Sequence, residues 1–312
     1  MNQKGTIIKS AGKNSVVVAE SGDKIDCIIG GKYRLEDLKS TNPVVVGDHV
    51  HFEMIAGTGK GRITDVLERK NYIIRRASNL SKTYQIIASN IDQLLLLITI
   101  REPETYTEFI DRYLVTAEAY SIPSVIIINK TDLYQETYLQ KMNELIAVYS
   151  RIGYECIAIS ALLKTNIAAV RDIMKNKINL LSGISGVGKS TLINVLDETH
   201  NLRTKEISDY HKAGKHTTTF VEMFYMGFGA YVIDTPGIKG FGVIDMEKEP
   251  VSHYFPEIFK ISGGCRYSNC RHINEPSCAV RNAVADGTIS QSRYNSYLSL
   301  TEEQAQQSKY RR

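Results

Sequence analysis

The chain has 312 residues and a mass of 35.0 kDa, room for two or three domains at roughly 100–200 residues each. Hydrophobic residues make up 43% and charged residues 23%, ordinary globular usage that excludes a disordered, collagen-like or low-complexity chain. The net charge of +4 gathers at the ends, +4 over residues 1–76 and +2 from Glu249 to Arg312, a mild bias that permits weak polyanion binding at both.

The amino-terminal Met-Asn-Gln-Lys-Gly-Thr carries no apolar secretory core, and the longest apolar stretch, Leu94–Ile100, is broken by Thr99 and too short to span a bilayer. A cytoplasmic protein with no membrane partner is expected. Residues 1–70 read as five short β runs, at Thr6–Lys9, Asn14–Glu20, Lys24–Ile29, Val44–Ile55 and Arg62–Leu67, separated by Gly-rich turns. Strands this short and closely spaced predict a small closed barrel. Arg75–Asn90 is polar, with Ser78, Asn79, Ser81 and Lys82, and reads as a linker. From Ile91 the style changes: buried-strand runs at Leu94–Ile98 and Val125–Ile128 flank a helical stretch near Thr107–Tyr120, and a second helix is expected over Glu136–Ile152. Such βαβ alternation predicts a parallel sheet. Beyond Asp245 the chain is rich in Tyr, Cys, Asn and Arg, with helices expected over Ala279–Ala285 and Ile289–Gln307.

Asn129-Lys130-Thr131-Asp132 follows the strand run Val125–Ile128 at its carboxyl end, where α/β sheets place ligands. The Asp132 carboxylate can accept both N1–H and N2–H₂ of guanine, whereas adenine offers an acceptor at N1 and no amine at C2. Ser160-Ala161, after the strand-like Glu155–Ile159, supplies a second loop at the same edge whose backbone can hold the base oxygen. Gly183-Ile184-Ser185-Gly186-Val187-Gly188-Lys189-Ser190 fits the phosphate-binding loop, between a strand at Ile178–Leu181 and a helix opening at Thr191. In that reading Lys189 reaches the β- and γ-phosphates, Ser190 binds Mg²⁺ and Thr191 stands beside it. Asp234-Thr235-Pro236-Gly237 follows the strand Ala230–Ile233, so Asp234 can hold a water of Mg²⁺ and the Gly237 N–H can meet a γ-phosphate. Between these lies Gly214-Lys215-His216-Thr217-Thr218-Thr219, which in that position reads as a first switch whose run of Thr217, Thr218 and Thr219 can complete the metal shell, with Thr218 the candidate and the choice among the three left open. The readings converge on a GTP/GDP-binding protein that uses Mg²⁺.

Ras-type GTPases place the phosphate loop first and Asn-Lys-x-Asp late; here the order is reversed, so the domain is circularly permuted. In that order, with Gly-Lys-His-Thr-Thr-Thr, Asp-Thr-Pro-Gly and Cys-x₄-Cys-x-His-x₅-Cys at 265–278, the chain resembles the RsgA family, the circularly permuted, ribosome small-subunit-dependent GTPases of ribosome assembly. The resemblance implies a multidomain protein: an N-terminal OB-fold β-barrel that binds RNA or the ribosome (1–72), a central α/β GTPase domain (73–244) and a C-terminal, mainly helical zinc domain (245–312). It implies a GTPase stimulated by the 30S subunit, acting late in small-subunit maturation, with 16S rRNA as partner. Lys215 stands where many members carry Arg, a change that keeps the charge. A monomer is expected.

Where a Ras-like enzyme uses Gln to orient the attacking water, this chain has Ile238. An apolar side chain cannot hold that water, so slow intrinsic hydrolysis is expected and His216 is the candidate to orient it. Three thiols and an imidazole at Cys265, Cys270, His272 and Cys278 form a closed set suited to one structural Zn²⁺. Cys27 and Cys156 lie in apolar strand runs and read as core residues. Candidate RNA contacts are Lys32, Arg34, Lys39, Lys60 and Arg62 of the barrel, with Tyr33 for stacking, and Arg266, Tyr267 and Arg271 by the cysteine loop. A guanine-nucleotide-dependent RNA-binding scaffold with incidental hydrolysis is the alternative reading. A membrane-associated GTPase is disfavoured because no amphipathic or lipidated end is evident.

Overall fold

The computed structural model describes residues 2–12, 14–30, 44–76, 84–197, 222–234 and 249–309. Five strands open the chain: β1 (Gln3–Ala11), β2 (Asn14–Ala19), β3 (Lys24–Ile29), β4 (His49–Met54) and β5 (Gly61–Val66). They pair in the order β1-β2-β3-β5-β4, and β4 returns to β1, closing a barrel in which only β3 and β5 run parallel. This is the five-stranded OB-type closure. Its interior is filled by alternate residues, among them Ile7, Val17, Cys27, Val50, Phe52 and Ile63, as the period of a half-buried strand requires.

Val44–Ile55, expected as one run, is divided. Residues 44–48 stand outside β4 because the chain turns at Gly47-Asp48, and the buried Asp48 carboxylate accepts bonds from Arg69 (2.6 and 2.8 Å), the Ser89 hydroxyl (2.6 Å) and the Val45 N–H (2.9 Å). The expected linker at 75–90 is corrected more fully: β6 (Tyr72–Arg76) and β7 (Tyr84–Ser89) pair as an antiparallel hairpin. Ile73, Ala88 and Ile91 enter the core of the following layer, an apolar alternation that the polar residues between the two strands disguise.

The central layer contains β8 (Gln93–Ile98), α1 (Thr107–Ala119), β9 (Ser124–Ile128), α2 (Glu136–Ile152), β10 (Glu155–Ala158), α3 (Ile167–Met174), β11 (Ile178–Ser182), α4 (Lys189–Leu196), β12 (Glu222–Met226) and β13 (Ala230–Asp234). Strand order is β10-β9-β8-β11-β13-β12, parallel except for the edge strand β12. Every residue of β8 is buried because helices cover both faces. Leu94, Leu96 and Ile98 meet α1 and α2, while Leu95 and Leu97 meet α3 and α4. From β8 the chain winds toward β10, and from β11 it winds toward β13 and β12. The crevice beyond the carboxyl ends of β8 and β11 is therefore the topological switch point, where such sheets bind ligands. A register pair, Lys9 with Glu222, joins the barrel to the edge of this sheet.

The carboxyl-terminal segment packs α5 (Pro256–Ser262), α6 (Ala279–Ala285) and α7 (Gln291–Lys309) around Phe255, Ile258, Val280, Ile289, Tyr297 and Leu300. Helix α1 contributes Val115 to the same core. Arg293 of α7 is fully buried, donating to Asp111 of α1 (2.7 Å) and to Glu257 of α5 (2.7 and 3.1 Å), with its guanidinium 4.5 Å from the Phe255 ring centroid. Among the described residues no helix is long and apolar enough to cross a membrane.

Candidate functional site

The phosphate loop joins β11 to α4, and its backbone is what the glycines dictate. A Cβ on Gly183 would lie 2.2 Å from the Leu97 carbonyl oxygen, and one on Gly188 would lie 2.5 Å from the Asn129 amide nitrogen. Both positions also have positive φ, +149° and +99°. The loop can lie this close to β8 and to the 129–132 motif only with glycine at each. Gly188 caps α4, so the N–H groups of Lys189, Ser190 and Thr191 open a helix whose dipole favours phosphate. The Lys189 ammonium donates to the carbonyls of Gly183 (2.8 Å) and Ile184 (2.9 Å), which holds it over the loop. Ser185 and Gly186 are exposed and Val187 is buried as the loop's anchor.

Asn129 ties three segments together. Its amide donates to the Val187 carbonyl at 2.8 Å, and its side-chain oxygen accepts the Ala161 N–H at 3.0 Å, although residues 129, 161 and 187 are far apart in the chain. Lys130 sits in the left-handed region at φ +64° and donates to the Glu102 carbonyl. The Ser160 hydroxyl donates to the Asp132 carboxylate (2.5 Å) and accepts the Leu163 N–H (3.0 Å), which fixes the exposed carboxylate in orientation. Asp234 ends β13 directly beside Leu181 in register, so its backbone stands next to the start of the phosphate loop. His216, Thr218 and Gly237, together with Lys215 and Ile238, lie outside the described residues.

A second cluster lies between α5 and α6. One ligand atom from each of Cys265, Cys270, His272 and Cys278 falls within 4.8 Å of every other. Cys265 and Cys278 sulfurs are 3.9 Å apart, and each is 3.5 Å from His272 Nδ1. Tetrahedral zinc with S and N ligands at ordinary bond lengths spaces such atoms about 3.5–3.8 Å apart. The donor set fits Zn²⁺ in type, number and spacing. Around it, the Tyr294 and Tyr297 hydroxyls donate to the carbonyls of His272 and Arg271, each at 2.6 Å. Arg266, Tyr267 and Arg271 are exposed, with the Arg266 guanidinium 5.6 Å from the Tyr267 ring centroid. Lys60 and Arg62 are exposed on the barrel; Lys32, Tyr33, Arg34 and Lys39 lie outside the described residues. Cys27 is buried, where desolvation pushes its thiol up to about 11, and Cys156 is half-buried in β10.

Residues 66–244 match the model of the RsgA GTPase family. The chain belongs to that family. It is 53% identical over 308 residues to the small ribosomal subunit biogenesis GTPase RsgA of Phocaeicola vulgatus and 51% identical to that of Bacteroides fragilis, each match covering 99% of both chains. Among solved structures it resembles YjeQ from Thermotoga maritima, with a TM-score of 0.81 and 36% identity over 98% of this chain and 99% of that one. It also resembles YloQ, a circularly permuted GTPase, with a TM-score of 0.78 and 29% identity over 98% and 96%. As an RsgA GTPase the chain hydrolyses GTP and uses a guanine nucleotide with magnesium.

Sequence reasoning missed one wall of the crevice. The loop 99–106, which leaves the carboxyl end of β8, reaches Lys130 through the Glu102 carbonyl and places Pro103 Cδ 3.4 Å from where a Cβ on Gly186 would be. A Thr- and Pro-containing turn directly after a fully buried strand was the available signal, since loops at that sheet edge carry function. Nothing in the sequence pointed to Tyr134, whose hydroxyl lies beneath Asn129.

Proposed function

We propose that this chain is a GTPase of small-ribosomal-subunit biogenesis that binds the 30S subunit and its 16S rRNA and couples GTP hydrolysis to late maturation of the subunit. The observation that carries the reading is Asn129: it holds base-reading and phosphate-holding loops in one crevice, in a chain whose relatives bearing that name match it end to end. Asn129, Lys130, Asp132, Ser160 and Ala161 take the base, and residues 183–191 take the phosphates. Lys189 stabilises charge on the transferred group, and Gly237 meets the γ-phosphate. Ser190, Thr218 and a water on Asp234 would hold Mg²⁺, which when bound would supply positive charge beside the phosphate oxygens. His216 orients the attacking water, in place of the side chain that Ile238 does not supply.

Cys265, Cys270, His272 and Cys278 hold one structural Zn²⁺. Residues 1–72 and the exposed Arg266, Tyr267 and Arg271 face rRNA, with 73–244 as the GTPase domain and 245–312 as the zinc domain. The protein works as a monomer in the cytoplasm, without a membrane partner. The test is GTP turnover titrated with purified 30S subunits. Turnover should rise with subunit concentration, and His216→Ala should lower the stimulated rate by about 10²–10⁴-fold with GDP affinity nearly unchanged. A rate indifferent to 30S subunits would overturn the coupling and leave a nucleotide-dependent scaffold. Full stimulated turnover in His216→Ala would return water positioning to other groups.

A further inference from the structure

We propose that Tyr134 is a positioning residue for guanine-nucleotide binding, acting through Asn129; this rests on reading residues 129–132 as the base-contacting loop. Tyr134 follows the 3₁₀ turn Thr131–Leu133 and is 7% exposed. Its hydroxyl donates to the Asn129 carbonyl at 2.5 Å and accepts the Ile100 N–H at 2.8 Å. One oxygen thus joins the end of β9 to the loop that leaves β8.

Both of its partners bear on the crevice. The Asn129 side chain holds the Val187 carbonyl and the Ala161 N–H, so its orientation sets the distance between the phosphate loop and the 160–163 loop. Ile100 is the second residue of the 99–106 loop, whose Glu102 carbonyl receives Lys130 and whose Pro103 faces Gly186. Asp132 lies between the two points that Tyr134 fixes, its own backbone and the 129–130 peptide. Without the hydroxyl, the buried Ile100 N–H loses this acceptor and the Asn129 carbonyl loses this donor. The 129–130 peptide then keeps only its flanking bonds, Asn129 N–H to the Ile98 carbonyl and Thr131 N–H to the Ile159 carbonyl, and the base-reading carboxylate is framed less firmly. The γ-phosphate end of the crevice, anchored on β11 and α4, keeps its own supports.

Tyr134→Phe keeps the ring and removes only the hydroxyl. Both hydrogen bonds of the hydroxyl go with it, and dissociation of a fluorescent GDP should accelerate about tenfold, the part of that loss felt at the base loop expressed as a rate ratio. The preference for GDP over XDP should narrow by a similar factor, and KM for GTP should rise far more than kcat falls. Tyr154→Phe is the control: it removes a buried hydroxyl that donates to Glu118 at 3.0 Å, far from the crevice, and should lower thermal stability without moving selectivity. Asp132→Asn, measured alongside, should turn preference toward xanthine nucleotides. If Asp132→Asn leaves guanine preference intact, the base-loop reading fails and the proposal with it. If Asp132→Asn shifts preference but Tyr134→Phe matches wild type in dissociation and selectivity, the positioning role alone is overturned. Should Tyr134→Phe not fold, exchange of the Ile100 amide in the wild-type protein carries the test. GDP should slow it about tenfold, through that same hydrogen bond, and no slowing overturns the role.

Discussion

The nucleotide crevice and the cysteine loop are both irregular segments with exacting geometry, but they keep their shape by different means. In the crevice the loops hold one another, Asn129 to Val187 and Ala161 and Ser160 to Asp132, and the phosphate loop is braced within itself by Lys189 on Gly183 and Ile184. The 129–132 loop and the phosphate loop leave β9 and β11, central strands that are almost wholly buried, while the 160–163 loop leaves the less buried edge strand β10. The segment between α5 and α6 has no strand beneath it. It bends through two non-glycine residues at positive φ, His272 and Ser277, and its inward groups are the four donors themselves. A ligand that comes and goes must find its site already formed, whereas a resident ion can be part of the fold. With the zinc proposed above, the two regions are built accordingly.

The sharpest way to break this comparison is to withdraw each ligand in turn. Removing the proposed zinc with a chelator, or by Cys270→Ser, should release one metal per chain and abolish hydrogen-exchange protection across α5, α6 and the start of α7. Structural zinc contributes about 10–16 kcal/mol in small zinc-finger peptides, and nothing else in this loop approaches that. Removing nucleotide should leave protection of β8, β9 and β11 intact. Freshly purified protein with no zinc and a fully protected α6 would refute the contrast.

A second expectation concerns how the carboxyl-terminal helices stay on the nucleotide domain. Arg293 neutralises Asp111 and Glu257 where all three are nearly or fully buried, and the Tyr149 hydroxyl donates to the same Asp111 oxygen at 2.7 Å. Arg293→Met strands two carboxylates and should cost about 3–5 kcal/mol, read as earlier loss of α7 protection in urea. Arg112 pairs with Glu303 across the same helix contact, but these side chains are 33% and 38% exposed. Arg112→Ala should cost about 1 kcal/mol or less. Equal losses in the two variants would mean that burial is not what makes the Arg293 cluster matter.

These two regions also mark what the amino-acid sequence made legible. Glycines 183, 186 and 188, Asn-Lys-x-Asp and the cysteine spacing are local chemistry that leaves local patterns, and the structure brings the described members of each set together. Arg293 leaves none, because in Gln-Ser-Arg-Tyr-Asn-Ser-Tyr it reads as a solvated charge on a polar helix. Its burial is decided by Asp111 and Glu257, which lie far away in sequence. The hairpin β6–β7 was hidden in a similar way: each strand is short and its partner is reached across a polar turn, so no single window shows the alternation. Helix α5 was passed over because Pro256 opens only seven residues, fewer than periodicity can establish.

The smallest expected effect tests what Glu275 adds to the protein-made support of the cysteine loop, where the Tyr294 and Tyr297 hydroxyls already hold the His272 and Arg271 carbonyls. The Glu275 carboxylate accepts N–H groups from Arg271 (2.8 Å), Ile273 (2.9 Å) and Asn274 (3.1 Å), which bracket His272. Desolvation alone would push this carboxyl up, but the backbone donors outweigh it and draw it down to about 2, so it is ionised wherever the protein functions. Glu275 therefore shapes the turn that carries the imidazole without being a ligand. Groups that orient metal ligands in this way typically contribute about 10–100-fold in affinity. Glu275→Ala should weaken zinc retention by that factor in competition with a chromophoric chelator, while GDP binding stays as in wild type. Glu275→Gln, which keeps one good acceptor, should fall between the two. Wild-type zinc affinity in Glu275→Ala would mean that the metal and the Tyr294 and Tyr297 hydroxyls hold the loop without Glu275, and the contrast with the crevice would then be sharper.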